Sequence, residues 1–139
     1  MSAPGRPPAA EGFRLRARAR SFQFALRGLV RVLASQHNAW IHALASAFVV
    51  LLGFLLGVSR LEWALLALAI GLVFAAEALN TAIESLGNRI SQQSDPWIES
   101  AKDAAAGGVL AAALAAAVAG WLVLGPRLLA RVSTLFGVD

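Results

Sequence analysis

The chain has 139 residues, 58% of them hydrophobic and 14% charged, with a formal net charge of +4 and no cysteine. A soluble domain carries about 25% charged residues, so this composition indicates a single integral membrane domain. Without cysteine there are no disulfides, thiolate nucleophiles or thiolate metal sites; the basic residues, nearly all arginine, cluster ahead of an apolar run, which suits an anionic lipid surface and not a nucleic acid.

Residues 1–11 carry Pro4, Gly5, Pro7 and Pro8 and read as a flexible tail. Over residues 13–35 the pattern turns amphipathic. Phe22, Leu26, Leu29 and Leu33 repeat by three and four, while Arg16, Arg20, Arg27 and Arg31 fall mostly off that face. This predicts a helix lying in the membrane interface with its apolar stripe in lipid. The apolar run that follows begins near residue 40, too late for an ordinary signal peptide.

Three spans are expected, over residues 40–58, 61–79 and 104–124, each near the ~20 residues that cross ~30 Å of hydrocarbon. Ser59 and Arg60 form a short hairpin between the first two. Ser91 to Trp97 reads as a polar turn in which Asp95 caps a new helix and Pro96 takes its first position. That helix carries Lys102 and Asp103 into a third span in which ten of 21 residues are alanine and three are glycine, which lets backbones approach closely. Residues 125–139 read as a weakly patterned tail. The expected fold is an all-α integral membrane protein, an N-terminal amphipathic surface helix plus three transmembrane helices.

Trp40, Trp63, Trp97 and Trp121 all fall at or just beyond a span's end, as an aromatic belt requires. Seven arginines precede the first span, and Arg89 and Lys102 lie in the loop between the second and third, whereas the opposite hairpin has only Arg60. The positive-inside rule therefore predicts a cytoplasmic N-terminus and a cytoplasmic loop over residues 84–102.

At that surface the second span ends in an acid. Placing a carboxylate in hydrocarbon costs about 2.5–3.5 kcal/mol on insertion scales, so Glu77 marks a candidate site. Asn80 and Glu84 follow at helical spacing and share its face, with Thr81 beside them. A polar seam joining packed helices is the simpler alternative. Lys102 and Asp103 on the next helix, and Gln36, His37, Asn38 and His42 near the first span, approach the same surface. Two carboxylates with a lysine nearby suit Mg²⁺, which takes oxygen ligands and usually keeps substrate phosphates. Glu77, nearest the lipid, is placed to take a proton from an alcohol arriving through the bilayer. The set points to phosphoryl transfer onto a lipid hydroxyl, with no Walker or protein-kinase glycine loop in the chain. His37 and His42, five residues apart, do not align as a metal pair on a helix, so interfacial hydrogen bonding is expected of them.

The motif Glu77-Ala-Leu-Asn80-Thr-Ala-Ile-Glu84, followed by Ala101-Lys102-Asp103-Ala-Ala-Ala-Gly107, resembles the signature of the prokaryotic diacylglycerol kinase family, which includes the undecaprenol kinases. The similarity runs from about residue 21 to residue 124. The stretches over residues 21–28, 38–42 and 59–63 resemble the undecaprenol kinase branch more. The resemblance implies a homotrimeric enzyme of the bacterial inner membrane that moves the γ-phosphate of MgATP onto a lipid alcohol, with sites built between protomers. It makes Glu77 the general base and Glu84 a metal ligand, with Asn80, Lys102 and Asp103 organising the ATP phosphates. Two positions depart from the pattern: Gln36 stands at an acidic metal and nucleotide position, and Asn88 where an acid follows the second motif glutamate. Glutamine keeps an oxygen ligand but drops a charge, which implies weaker Mg²⁺ binding.

Two other readings compete. A non-catalytic relative that binds lipid or nucleotide would explain Gln36 and Asn88. A transporter or proton-conducting bundle would need polar residues along the whole crossing, but residues 61–76 carry none beyond Glu62. Diacylglycerol and undecaprenol both stay open, because apolar contacts discriminate by only about 1–3 kcal/mol per methylene-sized change.

Overall fold

The computed structural model describes residues 15–91 and 93–137; the expected N-terminal tail, the first residues of the surface helix and Gln92 lie outside them. Four helices follow one another: α1 (Leu15–Ser35), α2 (His37–Leu56), α3 (Arg60–Ile90) and α4 (Pro96–Phe136). The described residues contain no strand, so the protein is all-α.

Burial is inverted relative to a water-soluble bundle. Helices α2, α3 and α4 are long and apolar enough to cross a membrane, yet only 11%, 22% and 17% of their most apolar windows is buried inside the chain. Leu44, Phe48, Phe54, Leu68 and Leu122 are each at least 60% exposed. In water such a surface would cost roughly 25 cal/mol per Å²; in hydrocarbon it costs nothing. The protein is an integral membrane protein with three spanning helices.

α1 touches α2 and α3 lightly, and Val32 is its one buried side chain among the described residues. Phe22, Leu26, Leu29 and Leu33, which share one face, stay 36–67% exposed, the apolar stripe that an interfacial helix offers to lipid. A single residue separates α1 from α2. Gln36 takes an extended backbone (φ −112°, ψ 120°), and its N–H still closes on the Val32 carbonyl at 3.1 Å. The chain bends there without a loop.

The α2–α3 link is equally tight. Gly57 adopts a left-handed conformation (φ 64°), and the Val58 N–H returns to the Gly53 carbonyl at 3.2 Å, a glycine-ended helix stop. Ser59 then caps α3 and Glu62 reaches back to the Ser59 N–H at 2.6 Å. The hairpin is therefore residues 57–59, and Arg60 is already helical. Gly53 has a packing reason as well: a Cβ there would lie 2.7 Å from the Trp63 ring. Val58, Leu66, Val123 and Leu124 form the main apolar core at this end of the bundle, with Trp63 against it.

α4 starts as the sequence predicts. Asp95 accepts from the N–H groups of Trp97 and Ile98 at 2.9 and 3.3 Å, with Pro96 in the first turn. Its end differs from expectation. The tail expected over residues 125–139 is helical to Phe136, through Pro126. Arginine contacts hold it: Arg127 pairs with both carboxylate oxygens of Glu62 at 3.1 and 2.7 Å and reaches the Gly57 carbonyl at 3.3 Å. Arg131 reaches the Leu55 carbonyl at 3.5 Å. These contacts occupy free carbonyls at the end of α2, which a hydrophobicity pattern does not reveal.

Candidate functional site

At the end of α3 remote from this hairpin, Glu77, Asn80, Glu84 and Gly87 form one row. Their spacing of three, four and three puts them on a single face, the face toward α4; Glu77, Asn80 and Gly87 are buried and Glu84 partly so. Helices α3 and α4 are the most closely packed pair in the bundle, so this row lies along its best-packed seam.

Glu77 is only 1% exposed and Asn80 6%, within a single chain. Glu77 Oε2 and Asn80 Oδ1 are both buried without a hydrogen-bond partner. Unpartnered buried acceptors are costly, about 1–3 kcal/mol each and more when charged, so such atoms mark a place where a donor or cation is expected. Thr81, beside the row, returns its hydroxyl to the Glu77 carbonyl at 2.9 Å and leaves the carboxylate alone.

Glu84 is bound differently. Asn80 Nδ2 donates to one of its oxygens at 3.3 Å, and Gln36 Nε2 donates to the other at 3.2 Å. The bend at Gln36 thus delivers a side chain from the end of α1 into the α3 row. Glu77 and Glu84 are seven residues apart, about 10 Å along the axis at ~1.5 Å per residue, and their side chains lean the same way. One small ion cannot touch both. Glu84, Asn80 and Gln36 make up one station and Glu77 another.

The first station suits a hard cation. A carboxylate with two amide groups that can turn their oxygens inward provides oxygen donors of the kind Mg²⁺ accepts alongside substrate phosphates. Among the described residues no three His, Cys, Asp or Glu side chains gather into a self-sufficient metal cage. The set therefore fits an ion that completes its shell with phosphate oxygens and water.

Lys102 lies one turn beyond Glu84. Its stem crosses Gly87, where a Cβ would lie 2.7 Å from the Lys102 Cε, and its ammonium donates to Asn88 Oδ1 at 2.7 Å. In this structure it is paired with Asn88 and not with the glutamates. Asp103 is exposed and makes no hydrogen bond among the described residues. Gly87 was not singled out from the sequence, although it continues the row of 77, 80 and 84.

A groove of about 310 Å³ runs along this face, between Asn38 and His42 on α2, the three polar residues of α3, and Val109 and Ala113 on α4. His37 is exposed and outside it. The groove is polar at Glu84 and apolar on its α4 wall, and it stays open at the side.

Known proteins share most of this sequence. The model of the prokaryotic diacylglycerol kinase family matches residues 23–124. An undecaprenol kinase of Bacillus subtilis is 38% identical over 109 residues, which cover 78% of this chain and 89% of that protein. A diacylglycerol kinase of Synechocystis sp. is 39% identical over 110 residues, covering 78% of this chain and 63% of that protein. The matched residues hold the whole α3 row, the Gln36 bend and Lys102, and stop just before the arginine-pinned end of α4. The chain belongs to the prokaryotic diacylglycerol kinase family.

Proposed function

We propose that this membrane lipid kinase moves the γ-phosphate of MgATP onto the hydroxyl of a lipid alcohol, undecaprenol or diacylglycerol, at the groove along α3. The observation that carries the reading is the Glu77 carboxylate, 1% exposed, with one oxygen unpartnered, lining an open groove whose α4 wall is apolar. Glu77 takes the proton of the lipid O–H while that oxygen forms its bond to the γ-phosphorus and the bridging P–O bond to ADP breaks. Mg²⁺, when bound, offsets the charge of the transferring phosphoryl group. Glu84 would hold that ion, with Asn80 and Gln36 orienting its carboxylate through their amides. Lys102, released from Asn88, supplies a cation to the nucleotide phosphates, and Asp103 lies beside it at the water-facing end.

The bacterial inner membrane is the expected location, with the N-terminus and the α3–α4 loop in the cytoplasm where ATP is. A cysteine placed at Gln93 that reacts with an impermeant reagent in intact cells would overturn that orientation. Assembly as a homotrimer is supported by the open side of the groove and by the thin internal burial of the spans. A second reading, a nucleotide- or lipid-binding relative without turnover, draws on one observation: neutral Gln36 and Asn80 already satisfy both oxygens of Glu84.

The deciding experiment is phosphate transfer from γ-labelled ATP by the purified protein, offered undecaprenol and diacylglycerol side by side. A labelled lipid phosphate from either is expected. No labelled product from either, with MgATP binding intact, would establish the second reading.

A further inference from the structure

The end of α4 borders a groove that the α3 row does not use. It lies beside the end of α2, has a volume of about 590 Å³, and is lined by Leu56, Arg127, Ala130, Arg131, Thr134 and Leu135. The family match stops at residue 124, so five of these six residues lie beyond it. The groove sits at the α2–α3 hairpin end of the bundle, away from Glu77 and Glu84.

Its two arginines differ. Arg127 holds both carboxylate oxygens of Glu62 at 3.1 and 2.7 Å and the Gly57 carbonyl at 3.3 Å, so its charge is compensated. Arg131 is exposed and has no carboxylate partner among the described residues. It gives one N–H to the Leu55 carbonyl at 3.5 Å, a long contact, and its other donors are unused among the described residues. Thr134 cannot stand in for it, since its hydroxyl already donates to the Ala130 carbonyl at 2.8 Å.

Around Arg131 the helix is apolar and outward-facing: Leu129, Leu135 and Phe136 are each at least 61% exposed. An arginine in such a surface keeps its stem against hydrocarbon and takes its guanidinium to the headgroup phosphates, whose oxygens match its planar fork. The groove fits the rest of that ligand. Leu56, Ala130 and Leu135 line it with carbon, and it is roomier than a lone phosphate requires. The described charges at this end are Arg60, Arg127 and Arg131 against one carboxylate, Glu62. That balance favours a headgroup of net negative charge over a zwitterion, which brings its own cation.

We propose that this groove is a binding site for an anionic phospholipid of the leaflet at the hairpin end, with Arg131 on the phosphate and the first chain carbons against Leu56 and Leu135. The lipid is a bound component of the membrane there and undergoes no reaction, so the site stands independently of the lipid-kinase reading of Glu77.

The test is photolabelling of the full-length protein in phosphatidylcholine vesicles that carry a trace of phosphatidylglycerol with a diazirine near the start of one acyl chain. After irradiation, mass spectrometry should find the label on peptides containing Leu56 or Leu135, as well as on the basic helix α1. Replacing part of the phosphatidylcholine by unlabelled phosphatidylglycerol should suppress the label at the α4 end about tenfold, the factor that ~1.4 kcal/mol gives. Arg131→Gln should cost the α4 end a similar factor and leave the label on α1 unchanged. The change of vesicle lipid uses the parent alone, so it decides the matter if Arg131→Gln does not fold. A parent without label at the α4 end, no suppression by phosphatidylglycerol, or a label that Arg131→Gln leaves in place or lowers equally on α1 overturns the proposal. Suppression by excess inorganic phosphate would assign Arg131 to a soluble anion and overturn the lipid site as well.

Discussion

Gln36 and Glu84 are 48 positions apart in the chain and 3.2 Å apart in space, amide nitrogen to carboxylate oxygen. The contact ties the end of the surface helix to the middle of the α3 row. It also means that both Glu84 oxygens are held by neutral amides, because Asn80 takes the other. A carboxylate held this way has no second anion beside it to strengthen a cation site.

Gln36→Glu should lower the Mg²⁺ concentration for half-maximal activity. An added charge a few Å from the ion is worth on the order of kcal/mol even at an effective dielectric of ~20, and ~1.4 kcal/mol is tenfold. Two carboxylates without a cation repel, so the same variant should melt earlier in EDTA and regain the difference in Mg²⁺. Superimposable Mg²⁺ titrations of parent and variant would remove Gln36 from the metal station.

Glu77→Gln keeps size and burial but cannot accept the proton. Turnover should fall by at least the ~10²-fold expected for loss of a general base, with MgATP binding and the melting temperature close to the parent's. Glu84→Gln should do the opposite, weakening Mg²⁺-dependent nucleotide binding first. Near-normal turnover in Glu77→Gln would reduce that residue to a polar packing group.

Gly87→Leu tests the path of Lys102. A Cβ alone would meet the lysine stem at 2.7 Å and the Ile98 Cγ2 at 2.9 Å, so a leucine must displace both. Overpacking of this kind costs about 1–3 kcal/mol. The MgATP KM should rise while the lipid KM holds, as read from two substrate titrations. Unchanged nucleotide kinetics would show that Lys102 serves only its bond to Asn88.

At the opposite end, the Arg127–Glu62 pair pins residues beyond the family match onto the α2–α3 hairpin. Arg127→Ala and Glu62→Ala should each lower the melting temperature in detergent, and the double variant should lose less than the sum of the two. Strict additivity would mean the pair does not hold α4 in place.

Glu77, Asn80 and Glu84 are legible in the sequence because their spacing is purely helical and because acids are scarce in hydrocarbon. Asp95 and Pro96 were legible for a similar reason, since a cap and its proline act within one turn. What escaped depends on distant partners. The helical end of α4 rests on Arg127 meeting Glu62, 65 positions away, and on Arg131 meeting the Leu55 carbonyl. Asn88 was noticed as a missing acid, but its role as the partner of Lys102 depends on how α3 and α4 are aligned. Gly57 looked like part of the span, yet its left-handed backbone is what ends it.

The Ser59–Glu62 cap fixes where α3 begins, and from there a continuous helix carries Glu77 a set distance inward. From Arg60 to Glu77, seventeen residues at ~1.5 Å make that about 26 Å, against ~30 Å of hydrocarbon. The protein therefore behaves as a depth gauge. On the proposed reading, a lipid hydroxyl floats at the level its own leaflet dictates, while the Glu77 carboxylate is measured from the other end of the span. Bilayer thickness then governs how well the two levels coincide, with hydrophobic mismatch costing fractions of a kcal/mol per Å. In vesicles of graded acyl-chain length, turnover should peak at one thickness and decline on both sides. A flat profile would mean that α3 tilts freely enough to erase the offset.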